Sequence, residues 1–148
     1  LDRLADVYLE EYGVDVRELE GGGAPGGLAG GLAAVGGTLS SGFELVAEEV
    51  ALDEALADAD LVITGEGFVD EGSFDGKVVG GVVEWASEVG VPVLVVAGEI
   101  FDRPSFEDRG VRVDGIDLVA TYGRERAVGD TATVLEQAVT EWFRAADG

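Results

Sequence analysis

Apolar positions along this chain change their period part-way. Leu1, Leu4, Ala5, Tyr8, Leu9 and Tyr12 recur at helical spacing and predict an amphipathic helix closed by Gly13. A glycine-rich stretch, GGGAPGGLAGG at residues 21–31, reads as a loop entering a small-residue helix that runs through Leu32 to Val35. Ser41 and Glu44 have capping-box spacing for a helix running toward Val50. Asp53 is placed to cap a further short helix ending at Ala57.

Beyond residue 60 short apolar runs alternate with helical stripes. Residues 61–64 (LVIT) and 93–97 (VLVVA) have the unbroken hydrophobicity of strands buried on both faces. Residues 117–121 (DLVAT) read as a third strand, and residues 103–115 as an irregular exposed connection. A glycine-punctuated polar loop is predicted over residues 65–76, then a helix from about Lys77 to Val89, ended by Gly90 with Pro92 beyond. Leu135, Ala138, Val139, Trp142 and Phe143 form the buried stripe of a last helix, with Asp130 as its cap. Strands separated by helices imply an α/β, three-layer parallel-sheet domain of Rossmann or flavodoxin type. Residues 1–50 form a helical, glycine-rich segment belonging to a cleft or second domain, and residues 51–148 the parallel α/β domain.

Composition narrows the chemistry. The 148 residues carry 31 acidic and 9 basic side chains, a net charge of −22, so nucleic acid is not an expected partner. With no Cys and no His, the chain holds no disulfide, thiol nucleophile, Cys/His zinc site or Ser-His-Asp triad. Apolar residues at 47% argue against an acidic disordered tail. No apolar run is long enough to cross a bilayer, and Leu1 opens no signal pattern, so a cytoplasmic location is expected. The chain starts inside a helix without an initiator Met and reads as a piece of a longer protein. Acid is spread evenly and Lys77 is the only lysine, a pattern that reads as halophilic adaptation. At ~1 M salt the screening length falls to roughly 3 Å and such self-repulsion is tolerable.

Ligands of open parallel sheets bind beyond the carboxyl ends of the strands. Three segments meet that rule: residues 64–77, 98–102 and 122–126. The first reads TGEGFVDEGSFDGK. Thr64 and Ser73 offer hydroxyls, and Gly65 and Gly67 admit a ligand close to the backbone. Glu66 and Asp70 are carboxylates suited to a hard cation such as Mg²⁺. Lys77 stands at a helix start, where amides and dipole favour an anion. The same residues also fit solvated loop charges, turn glycines and a surface ion pair of Lys77 with Glu71 or Asp75. Trp85, Trp142 and Phe143 fall on helical stripes and belong to the core rather than to a stacking site.

These segments resemble the glycerate kinase type I family. GGGAPGGLAGGL at residues 21–32 resembles its glycine-rich element, and LDEALADADLVITGEG at residues 52–67 its Gly-Glu-Gly stretch. The spacing onward to Asp70, Ser73 and Gly76-Lys77, then GVPVLVVAG at residues 90–98, continues in the same order. The family's enzymes are more than twice as long, and their amino-terminal half is absent here. The resemblance implies a two-domain kinase that transfers the ATP γ-phosphoryl group to D-glycerate with Mg²⁺, this chain forming one wall of the cleft. The other half would come from the missing segment or from a homo-oligomer. On that reading Asp70 and Lys77 are catalytic, Glu66 and Asp70 hold the metal, and Gly26, Gly27, Thr64, Gly65, Gly67 and Ser73 meet substrate or phosphate. A non-catalytic nucleotide- or anion-binding module derived from such a kinase is the alternative. The family usually has Arg or Lys after Gly-Glu-Gly; here Phe68 stands there, which Arg124 or Arg126 would have to offset. Pro25 replaces a small family residue and stiffens the glycine loop.

Overall fold

A computed structural model describes residues 1–24, 26–74, 77–101 and 106–146. The chain forms two compact units, Leu1–Gly42 and Phe43–Gly148. In the first, α1 (Asp2–Tyr12) ends as predicted at Gly13, whose left-handed φ of 71° lets its N–H reach the Leu9 carbonyl. The small core joins Ala5, Val16 and Ala34, the last on α2 (Leu28–Ala34), with Tyr8 and Val14 packed against it.

The second unit has the expected parallel α/β fold, with strand order β1-β2-β3. Its helices are α3 (Gly42–Glu49), α4 (Leu52–Ala57), α5 (Val78–Val89), α6 (Leu118–Tyr122), α7 (Arg124–Gly129) and α8 (Thr131–Ala146). The strands are β1 (Val62–Val69), β2 (Val93–Ile100) and β3 (Val113–Asp117), all parallel. Central β2 is buried on both faces, which is why it reads as continuous hydrophobicity. Val93, Val95 and Ala97 face one layer with Val79, Val83 and Ala86 of α5. Leu94 and Val96 face the other with Leu118, Ala127, Val134 and Ala138. Phe43 opens α3 in this unit and stacks edge-on against Trp85 at 5.5 Å.

Several expected boundaries change. Residues 65–69 are strand, not loop, because β1 continues through Gly-Glu-Gly to Val69. Residues 118–121 are helix: Asp117 ends β3, and its carboxylate accepts from the Ala120 amide at 2.7 Å, starting α6. The third strand therefore lies at residues 113–117, within and just beyond the stretch expected to be irregular. Asp53 sits inside α4 rather than capping it; the cap position is Ala51, in left-handed conformation at φ 52°. On α8 the buried positions are Val134 and Ala138, whereas Leu135 and Phe143 are exposed.

Candidate functional site

The periodicity of the sheet slips at its carboxyl end. The pairing of β1 with β2 runs from Val62↔Val93 to Glu66↔Ala97 and resumes at Phe68↔Glu99. Up to that point even positions of β1 and odd positions of β2 share the α5 face. Beyond it Val69 and Ile100 occupy that face, only three residues after Glu66 and Ala97. A period of two cannot place both sets together unless alternation shifts by one. The shift falls at Gly67 and Gly98, where the strands close in: a Cβ on Gly98 would stand 2.3 Å from the Gly67 carbonyl oxygen. Gly65 is likewise obligatory, since its Cβ would meet the Val96 carbonyl at 2.0 Å, whereas a Cβ on Gly67 meets nothing within 4 Å. Phe68 and Glu99 are thereby turned to the α6–α8 face. Phe68 is exposed and tilts against Phe101 at 6.3 Å.

On the α5 face three predicted residues come together. A 3₁₀ turn (Glu71–Phe74) follows β1 directly. Ser73, fully buried, accepts from the Asp70 amide at 3.1 Å and donates its hydroxyl to Asp70 Oδ1 at 3.3 Å. Lys77 Nζ lies 3.9 Å from the same oxygen, with both side chains about half exposed. Gly80 lets the turn seat on α5, since a Cβ there would lie 2.6 Å from Phe74 Cα. Lys77 occupies the capping position of α5; its ammonium is a donor only and caps none of the first-turn amides.

Strand alternation groups Glu66 with Val62 and Thr64, and both Thr64 and Glu66 also line the groove over β1. Glu66 Oε1 is buried without a hydrogen-bond partner. A buried carboxylate oxygen in that state calls for a cation or a hydrogen-bond donor. Among the described residues no group of three or more Asp or Glu side chains is gathered to hold a metal. Mg²⁺ is commonly held by one or two carboxylates together with substrate phosphates, so a carboxylate such as Glu66 or Asp70 has the donor chemistry for it.

The opposite face is open. A groove of about 460 Å³ runs over β1, floored by Gly65 and Gly67 and walled by Leu118, Leu135 and Val139. It exists because two positions of an edge strand carry no side chain. At the carboxyl end of β2 Arg124 of α7 donates through Nη2 to Glu99 Oε2. Arg126 is committed elsewhere, donating to Gln137 at 2.7 Å and lying 5.5 Å from the Tyr122 ring. Of the two arginines singled out from sequence, only Arg124 reaches the row of Phe68.

Gly26 and Gly27 belong to the first unit and both take left-handed conformations, φ 73° and 95°. The Gly27 amide donates to the Gly23 carbonyl at 2.8 Å, so it is not free for an anion. Pro25, Asp75, Gly76 and Asp102 lie outside the described residues. The Glu99–Arg124 pair and the slip at the paired glycines were missed from sequence; their partners lie 25 and 31 residues apart.

The chain is an α/β protein of the open parallel-sheet class, in which ligands bind beyond the carboxyl ends of the strands. The sequence profile described as "Glycerate kinase family" matches residues 1–146, and the chain belongs to that family. It is 40% identical over 121 residues to glycerate 2-kinase of Escherichia coli (strain K12), covering 80% of this chain and 30% of that protein. It is 42% identical over 97 residues to a glycerate kinase of Halalkalibacterium halodurans, covering 65% of this chain and 26% of the relative. A crystal structure from Salmonella typhimurium LT2, provisionally assigned as glycerate kinase 2, superposes with a TM-score of 0.60 at 33% identity. That match covers 99% of this chain and 38% of the other. The chain thus spans about 30% of the length of the curated relatives it matches. No helix among the described residues is long and apolar enough to cross a membrane.

Proposed function

We propose that this chain is a portion of a glycerate kinase, contributing phosphate- and acceptor-binding groups for transfer of the ATP γ-phosphoryl group to D-glycerate. The observation that carries the reading is the Asp70–Ser73–Lys77 cluster at the carboxyl end of β1, within a family match that runs nearly end to end. Lys77 and the α5 amides would neutralise the transferring phosphoryl oxygens. The acceptor hydroxyl oxygen bonds to phosphorus as the bond from phosphorus to the ADP oxygen breaks, and the hydroxyl proton passes to the Asp70 carboxylate. Ser73 holds that carboxylate in place by donating to Oδ1. Mg²⁺, when bound, would supply charge neutralisation on the phosphates, and Glu66, whose Oε1 has no hydrogen-bond partner, would hold it while Asp70 takes the proton.

Phe68, apolar and exposed at the strand tip, favours a second reading, a nucleotide- or anion-binding module without turnover. Lys77→Ala in the full protein separates the two. A kinase loses roughly 10²- to 10³-fold in kcat, the scale of removing one preorganised electrostatic group, with its melting curve unchanged. Nucleotide binding by calorimetry with no phosphoglycerate formed by the unsubstituted protein would leave only the module. We also infer a cytoplasmic, salt-adapted setting from the charge distribution, and assembly with the remainder of the enzyme or with a second copy.

A further inference from the structure

We propose that Arg124 binds the carboxylate of the acceptor substrate at the carboxyl end of β2, and so selects a hydroxy acid over the corresponding neutral polyol. The inference rests on the phosphotransferase reading. Such a reaction brings together two anionic reactants, and a chain of net charge −22 repels both unless a cation stands at each docking point. The fold places one cation at the tip of each of two adjacent strands. Lys77 lies at the end of β1, beside the Asp70 carboxylate. Arg124 lies on the α6–α8 face, brought there because the slip at Gly67 and Gly98 turns Glu99 toward α7.

Stability does not explain where Arg124 sits. It is the first residue of α7, where the helix dipole disfavours a cation. Its bond to Glu99 is solvent-washed, with side-chain exposures of 66% and 28%, and such pairs contribute little. The backbone is nonetheless specialised to deliver it: Gly123, at φ 81° and ψ 147°, makes the turn from α6 into α7. The guanidinium donates to Glu99 through Nη2, a single bond that draws it to the end of β2. A guanidinium has five N–H donors in one plane, so an edge remains for a planar carboxylate, which it matches two bonds at a time.

The test uses Arg124→Gln and Arg124→Lys in the full protein, assayed with glycerate and with glycerol, together with calorimetric titration of glycerate and of ATP. Loss of a charged hydrogen bond predicts a rise of roughly 10- to 100-fold in KM for glycerate in Arg124→Gln. KM for ATP should hold, the preference for glycerate over glycerol should fall by the same factor, and Arg124→Lys should recover part of both. Unchanged glycerate KM and unchanged preference would overturn the assignment. An equal rise in both KM values would reduce Arg124 to a structural role, and a rise for ATP alone would make it a phosphate group instead; either outcome rejects the proposal. Glycerate binding that Arg124→Gln weakens, in a protein with no turnover, would sink the kinase reading and leave the carboxylate site standing. An unsubstituted protein that neither binds nor turns over glycerate overturns both.

Discussion

The α5 face and the α6–α8 face of one sheet are built from alternate residues of the same strands, yet they finish differently at the strand tips. On the α5 face Val79, Val83, Val93 and Val95 close a dry core up to the point where Ser73 pins Asp70. On the other face the core of Leu94, Val96 and Val134 stops short of β1, leaving the groove over Gly65 and Gly67 with Ile63 exposed beside it. The lesson is that glycine spacing along one edge strand decides which face is packed and which is accessible. It also decides, through the slip at Gly67 and Gly98, which face receives each charge.

The largest expected effect comes from destroying that slip. Gly98→Val drives a side chain into the Gly67 carbonyl, a backbone atom that cannot rotate away, and should cost at least about 3 kcal/mol. Gly67→Ala meets nothing and should leave the melting temperature within about 2 °C. Chemical denaturation of the two variants checks the contrast; equal losses would mean the strands do not close in at that point. Next in size is the difference between the faces themselves. Val95→Ala removes methyls from a fully buried site and should cost about 2 kcal/mol, whereas Ile63→Ala, at a position 48% exposed, should cost less than about 1 kcal/mol. A comparable loss at Ile63 would show the groove to be covered in solution.

Salt tests both faces together. With net charge −22, raising KCl from 0.1 M toward 1 M screens self-repulsion, and the melting temperature should rise by roughly 4 °C for each kcal/mol gained. A melting temperature that falls over the same range would show that local ion pairs such as Arg124–Glu99 outweigh the global repulsion.

The sequence was most legible where one local rule acted alone. Gly13 and Gly90 ended helices in left-handed conformations, and the VLVVA run of β2 declared itself because both its faces are buried. It misled where two local rules competed. Leu118, Val119 and Thr121 suit a strand, but the Asp117 carboxylate bonding the Ala120 amide turns them into α6. VDGID reads as loop because an edge strand of half-buried residues carries no apolar run. Gly-Glu-Gly reads as loop for a related reason: glycines usually interrupt strands, and here they are demanded by the carbonyls of a neighbouring strand that local pattern does not disclose. At the site, Asp70, Ser73 and Lys77 were legible because they lie within eight residues of chain. Arg124 was visible only as one of two candidates, since its partner is set by the sheet.

The smallest effect concerns the outer rim of the open face, where the Tyr122 hydroxyl of α6 donates to Glu141 Oε2 of α8 at 2.7 Å. Hydrogen bonds from Gln137, then from Tyr122, hold the Glu141 carboxyl below its ordinary range, and the bond to Glu141 pushes the Tyr122 phenol up. A depressed carboxyl stabilises the fold above its unfolded pKa and loses that contribution as pH falls through the lowered value. A raised phenol does the reverse, contributing below its unfolded pKa and losing it as pH rises through the raised one. Tyr122→Phe should therefore lower the melting temperature by less than any change above, on a plateau from about pH 5 to about pH 9 that narrows toward both extremes. Melting curves across that range check it: a constant offset at all pH values would assign the loss to packing, and a loss as large as that of truncating the fully buried Val134 of α8 would show that the rim holds α8 on the sheet as much as the core does.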